Sequence, residues 1–182
     1  MNLAKIRVAL IDDNILFRKG LKALISSFGA FAVQADEDDA ARLIAKLKNA
    51  KTVPDICILS SDALMLNNNQ ALKEIKGSLK NVKVLVLVRH YYEFAVYKML
   101  YDGANGYLLK DCQPAELKKV LLAIHATGTY WEPDILDTWP NTRKSDYTIS
   151  KSQAIVLSFC ATNLTYTEMA ERMRISPRTI DG

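Results

Sequence analysis

Apolar residues fall into five short, nearly unbroken runs, with helix-spaced sets of apolar residues between them. Residues 5–11 (KIRVALI) form the first run, rich in β-branched and aliphatic side chains, and predict a strand. It stops at Asp12-Asp13-Asn14. Phe17, Leu21, Leu24, Ile25 and Phe28 then recur at the spacing of one helical face, with Gly29 as the stop. Residues 31–35 predict a second strand. Asp38 or Asp39 can cap the next helix, whose inner face is Ala40, Leu43, Ile44 and Leu47. The third run, Ile56-Cys57-Ile58-Leu59, lies between Pro54-Asp55 and Ser60-Ser61-Asp62 and contains no polar residue. A strand buried on both faces of a parallel sheet reads this way. Leu72, Ile75 and Leu79 mark a third helix, residues 83–88 (KVLVLV) a fourth strand, and residues 93–101 a fourth helix. Residues 106–109 are a fifth, short strand. The helix after it shows Leu117, Val120, Leu121 and Ile124 and starts at Pro114.

Strands and helices thus alternate five times within residues 1–126. That pattern predicts an α/β fold, a doubly wound five-stranded parallel sheet with helices on both faces. Chemistry in such folds sits past the carboxyl ends of the strands. Position 60, closing the central strand, is therefore a candidate, together with Asp12, Asp13, Val88 and Lys110 on the same edge. No G-x-G-x-x-G follows any strand, so a dinucleotide cradle is missing.

From about residue 127 to 147 the periodicity breaks at Thr127, Gly128, Trp131, Pro133, Trp139, Pro140 and Asn141, which reads as a linker. Its two tryptophans imply that it lies against a surface at points. Residues 148–182 turn helical again. Ser150-x-x-Gln153 and Thr165-x-x-Glu168 are capping boxes, and Ser176-Pro177 supplies an N-cap and a first-turn proline. Three short helices with tight joints predict a small all-α helix-turn-helix segment, incomplete at its C-terminus because Gly182 falls about one turn into the third helix.

Composition narrows the class. Apolar residues make up 49% of 182 positions, which suits a globular interior. No run approaches the ~20 apolar residues of a membrane helix, and no h-region follows Met1, so a cytoplasmic protein is expected. Cys57, Cys112 and Cys160 are odd in number and form no C-x-x-C, which fits reduced thiols. The net charge of +4 comes from Lys and Arg ahead of residue 127 and carries no argument about nucleic acid.

Asp12 and Asp13 are costly neighbours unless a cation sits with them, and carboxylates plus water suit Mg²⁺. Acids that simply cap the next helix into solvent fit the same two residues. No Ser/His/Asp or Cys/His triad is apparent, His90 and His125 lie far apart, and no enzymatic activity is expected.

Taken together, several motifs resemble the receiver domain of two-component response regulators, a flavodoxin-like fold, in the subfamily with a NarL/LuxR-type helix-turn-helix. They are Ile11-Asp12-Asp13-Asn14, Arg18-Lys19-Gly20-Leu21, Pro54-Asp55, Gly103-Ala104-Asn105-Gly106-Tyr107-Leu108-Leu109-Lys110, Pro114-Ala115-Glu116-Leu117 and Ile175-Ser176-Pro177-Arg178-Thr179-Ile180. The resemblance implies a phosphoryl group passed from a histidine kinase to an aspartate at the end of the third strand. The register from Pro54-Asp55 puts Ser60 there, and a hydroxyl cannot form that acyl phosphate. It implies a Thr or Ser at the end of strand four, where Val88 stands. The aromatic switch position is kept as Tyr107, and Lys110 is kept. With no acceptor at position 60, Lys110 is free to neutralise Asp12 or Asp13 in place of a metal, so Mg²⁺ is not expected to be required.

The resemblance also implies that the helix after Ser176 enters the DNA major groove. Ser176 caps that helix, Arg178 and Thr179 would meet phosphate, and Arg172 and Arg174 would add electrostatic grip. Asp181 stands where the family often has a base; it would repel phosphate but could accept from cytosine N4. The reading is a phosphorylation-independent, DNA-binding transcriptional regulator. It would be controlled through a homodimer formed by residues 93–124, a protein partner or a ligand. Two alternatives stay open: an interaction module that never binds DNA, and a receiver phosphorylated at a non-standard residue such as Asp62.

Overall fold

Strand β1 (Ile6–Ile11) lies inside a five-stranded parallel sheet with β2 (Phe31–Glu37) on one side and β3 (Ile56–Ser61) on the other. β4 (Lys83–Val88) and β5 (Gly106–Leu109) complete the order β2-β1-β3-β4-β5. The computed structural model describes residues 4–48, 50, 52–61, 68–90, 93–131, 165–173 and 176. Between the strands run helices α1 (Ile15–Ser27), α2 (Ala40–Lys48), α3 (Asn68–Ser78) and α4 (Glu93–Tyr101), and α5 (Pro114–Thr127) follows β5.

Side chains alternate across a strand, so each sheet face collects its own core. Val8, Leu10, Phe31, Ile56, Ile58, Leu85, Leu87 and Leu108 join Leu21 and Ile25 of α1 and Leu117, Val120, Leu121 and Ile124 of α5. Ala9, Ile11, Cys57, Leu59, Val84, Val86, Val88 and Tyr107 join the inward faces of α2, α3 and α4. Burial pushes the Cys57 thiol up to about 12, so it serves as a small apolar side chain.

Two local features refine the expected boundaries. β2 runs past residue 35 to Glu37, and its register with β1 slips so that Gln34 has no partner between Val33 and Ala35. This bulge moves Ala35 to the α2 face and returns Asp36 to the α1 face. β3 ends at Ser61, one residue beyond Ser60. Of the two caps offered for α2, Asp39 makes it, its Oδ1 accepting the Arg42 N–H at 2.7 Å; α1 is capped by Asn14, whose Oδ1 accepts the Phe17 N–H at 3.0 Å. Gly29 and Gly128 follow α1 and α5 with φ of 75° and 94°.

α5 runs through Thr127, and Tyr130 makes a parallel bridge to Gly106, so the first residues assigned to the linker lie on the sheet. Nearer the C-terminus, α6 (Tyr166–Met173) opens with the expected capping box. The Thr165 N–H donates to Glu168 Oε2 at 2.8 Å, and the Glu168 N–H to Thr165 Oγ1 at 3.4 Å. The Ser150 box and residues 132–147 fall outside the described residues.

Candidate functional site

Counting by twos along each strand explains what gathers at the carboxyl edge. Asp12 continues the Val8–Leu10 face, Ser60 the Ile56–Ile58 face, and Lys110 the Leu108 face, so all three stand on the α1/α5 side. Val88 and Tyr107 belong to the opposite face, towards α4. The edge lies where the chain reverses winding direction between β1 and β3, the place at which such sheets open a crevice.

Asp12 is only 1% exposed, and both carboxylate oxygens have donors. Oδ1 accepts the Asn14 N–H at 2.6 Å and Oδ2 accepts from Lys110 Nζ at 3.1 Å. The Lys110 ammonium also lies over the Phe17 ring, 4.6 Å from its centroid, and its side chain is nearly buried. Of the two acids Lys110 was expected to neutralise, the contact goes to Asp12, while Asp13 is exposed. The Ser60 side chain is buried, 6% exposed, and its hydroxyl has no hydrogen-bond partner among the described residues. Val88, 1% exposed, is packed into the apolar core.

Behind the pocket lies a layer the sequence reading did not assign. Arg18 Nη1 donates to the backbone carbonyl of Asp12, and its Nε lies 3.5 Å from Asp36 Oδ1. Lys19 and Lys22 also hold Asp36, at 2.9 and 2.6 Å. Burial alone would raise the Asp36 carboxyl. Hydrogen bonds and charge from Lys22 and Lys19 outweigh it and hold the group at about 2. Arg18 thereby ties the Asp12 backbone to the acid at the end of β2. The only sequence signal was the Arg18-Lys19 pair on a helix that begins just after two acids.

A divalent cation fits this donor set poorly. The one buried carboxylate already receives two N–H donors, one of them cationic, and Ser60 offers a neutral hydroxyl. Among the described residues, no three His, Cys, Asp or Glu side chains come together as a metal cluster.

Of the expected DNA-contacting residues, Arg172 and Ser176 are exposed. Arg174, Arg178, Thr179 and Asp181 lie outside the described residues, as does Asp62. No helix among the described residues is long and apolar enough to cross a membrane.

Residues 8–122 match the response regulator receiver domain model. The transcriptional regulatory protein DegU of Brevibacillus brevis is 31% identical over 135 residues, covering 74% of this chain and 56% of its own length. The chain therefore spans about half the length of that relative. The nitrate/nitrite response regulator homolog of Haemophilus influenzae is 27% identical across 97% of this chain and 85% of its own. Among solved structures, the receiver domain of the putative response regulator NarL from Mycobacterium tuberculosis superposes with a TM-score of 0.59. It is 29% identical, over 68% of this chain and 98% of that one. With the five-stranded order and the Asp12–Lys110 edge already in place, the chain belongs to the response regulator receiver family, and its relatives are regulators of the NarL/LuxR type.

Proposed function

We propose that this chain belongs to a DNA-binding transcription regulator whose receiver works without phosphorylation at the end of β3. The observation that carries this reading is the buried Ser60 hydroxyl standing beside an Asp12 carboxylate that Lys110 already neutralises. An acyl phosphate needs a carboxylate, and a transferred phosphoryl group needs a cation to offset its charge. Ser60 offers no carboxylate, and the local ammonium is engaged with Asp12. Val88, apolar and buried, adds no hydroxyl that could hold a phosphoryl oxygen.

In this reading the Lys110–Asp12 pair keeps the pocket in one state and Mg²⁺ is not required. Control passes to other inputs: receiver dimerisation through the region from α4 to α5, a protein partner, or a ligand. The DNA-binding half rests on the capped helix at Thr165, the exposed Arg172 and the similarity to DegU, a transcriptional regulatory protein.

Incubation with acetyl phosphate and Mg²⁺ followed by intact-mass measurement tests the reading. The expected result is no added phosphate, with DNA retention on a column unchanged by the treatment. A stoichiometric, hydroxylamine-labile phosphate would overturn it and move the acceptor to another carboxylate such as Asp62.

A further inference from the structure

The chain does not leave the sheet when α5 ends. After the left-handed turn at Gly128, the Tyr130 N–H donates to the Asn105 carbonyl at 2.8 Å, and Tyr130 bridges to Gly106 in parallel. Trp131 then turns into the α4-side core, 9% exposed, with its ring 6.2 Å from that of Tyr107, itself 6% exposed.

Three residues of the β5 region are shaped to receive this segment. Asn105 is the hub. Its Nδ2 donates to the Gly128 carbonyl at 2.7 Å, while its Oδ1 accepts from the Val84 N–H at 2.8 Å and from Lys76 Nζ at 2.9 Å. Gly106 leaves the room: a Cβ there would stand 2.7 Å from the Tyr130 carbonyl and 3.1 Å from Ile124 Cδ1. Tyr107 supplies the ring against which Trp131 closes. Among the described residues the attachment is nonetheless short: one bridge, a few hydrogen bonds, Tyr130 packed on the α5-side core and Trp131 on the α4-side core. Segments held by so few contacts open at lower free energy than core strands do.

We propose that residues 129–131 form a releasable strap on the β5 edge, clasped by Trp131 over Tyr107. When docked, it fixes the start of the connection to the C-terminal segment against the receiver; when released, it frees that connection while the sheet stays folded. The strap docks where Tyr107 sits, halfway along the strand that delivers Lys110 to the pocket.

The test uses the full chain with Trp139→Phe, which leaves Trp131 as the sole tryptophan. Fluorescence should show a buried indole with low acrylamide quenching. Hydrogen exchange should find the Tyr130 amide protected, yet exchanging at least roughly tenfold faster than the Leu85 and Val86 amides of β4. Adding Gly106→Ala should red-shift the Trp131 emission, raise its quenching several-fold and abolish Tyr130 protection, with β4 protection kept. The proposal is overturned if the Tyr130 amide exchanges in step with β4, which would make the segment a permanent part of the fold. A solvent-exposed Trp131 in the parent chain overturns it too, as does unchanged emission in a folded Gly106→Ala chain. Should that variant fail to fold, the exchange comparison in the parent chain decides alone.

Discussion

At the amino-terminal ends of the strands, polar groups close on each other. Arg7 and Asp55 meet twice through side chains, at 2.7 and 3.1 Å, and the Arg7 N–H adds a third bond at 2.8 Å. The hydrogen bonds from Arg7 hold the Asp55 carboxyl below its ordinary value despite partial burial. Asn105 satisfies β4, α3 and the turn after α5 at once. At the carboxyl ends, Asp12 and Lys110 also pair, but Ser60 next to them keeps a buried hydroxyl with no partner among the described residues. Buried polar groups are nearly always satisfied, and exceptions concentrate where a structure was built for something other than stability. One end of the sheet is assembled for cohesion; the other brings a buried ion pair and a buried hydroxyl together at its edge.

The strongest way to break that contrast is Lys110→Ala. It strands a carboxylate that is 1% exposed, and removing one partner of a buried pair costs about 3 kcal/mol or more. A large drop in Tm is expected, partly reversed by Mg²⁺ in the variant and unaffected by Mg²⁺ in the parent chain. A variant as stable as the parent and indifferent to Mg²⁺ would remove the pocket lock from the account.

A smaller effect should appear on acidification. Asp36 sits at about 2 when folded, against 3.8 for an ordinary carboxyl. A depressed pKa means that the stabilisation is fully present above 3.8 and is lost as pH falls towards 2. Because Lys19 and Lys22 are about half exposed, screening reduces the effect to on the order of 1–2 kcal/mol. Urea titrations between pH 5 and 2 should lose that increment, and Asp36→Asn should flatten it. An equal acid slope in that variant would assign the effect to other carboxylates.

The smallest change should come from Ser60→Ala. A buried hydroxyl with no hydrogen bond among the described residues contributes little, so its removal should be neutral or stabilising by up to about 1 kcal/mol. A clear destabilisation in denaturant melts would mean that Ser60 has a partner in solution.

The fold was readable because its strands are doubly covered: 56–59 and 84–88 are continuous apolar runs, which few other arrangements require. β2 was read too short for the converse reason. As an edge strand it carries Gln34, Asp36 and Glu37, and those polar residues hid its end. The bulge at Gln34 could not be read either, since plain alternation places Ala35 with Phe31 and Val33. With it went the Asp36–Arg18 layer, which depends on that one-residue slip. Strand register is rigid, so Ser60 and Lys110 fall on one face of the carboxyl edge, whereas Val88 at the same edge turns into the opposite core. Which acid Lys110 would choose was not legible, because Asp12 and Asp13 differ in depth and not in chemistry. Trp131 looked like linker by composition, and the close approach of the preceding Tyr130 to β5 is made at a glycine 25 positions before Trp131.

The bridge between Gly106 and Tyr130 has one more effect. β5 is the outermost strand on its side, and a bare row of peptide groups there would invite a foreign chain to add itself to the sheet. With four residues and a neighbour from its own polypeptide at one end, that border offers little length for such an addition.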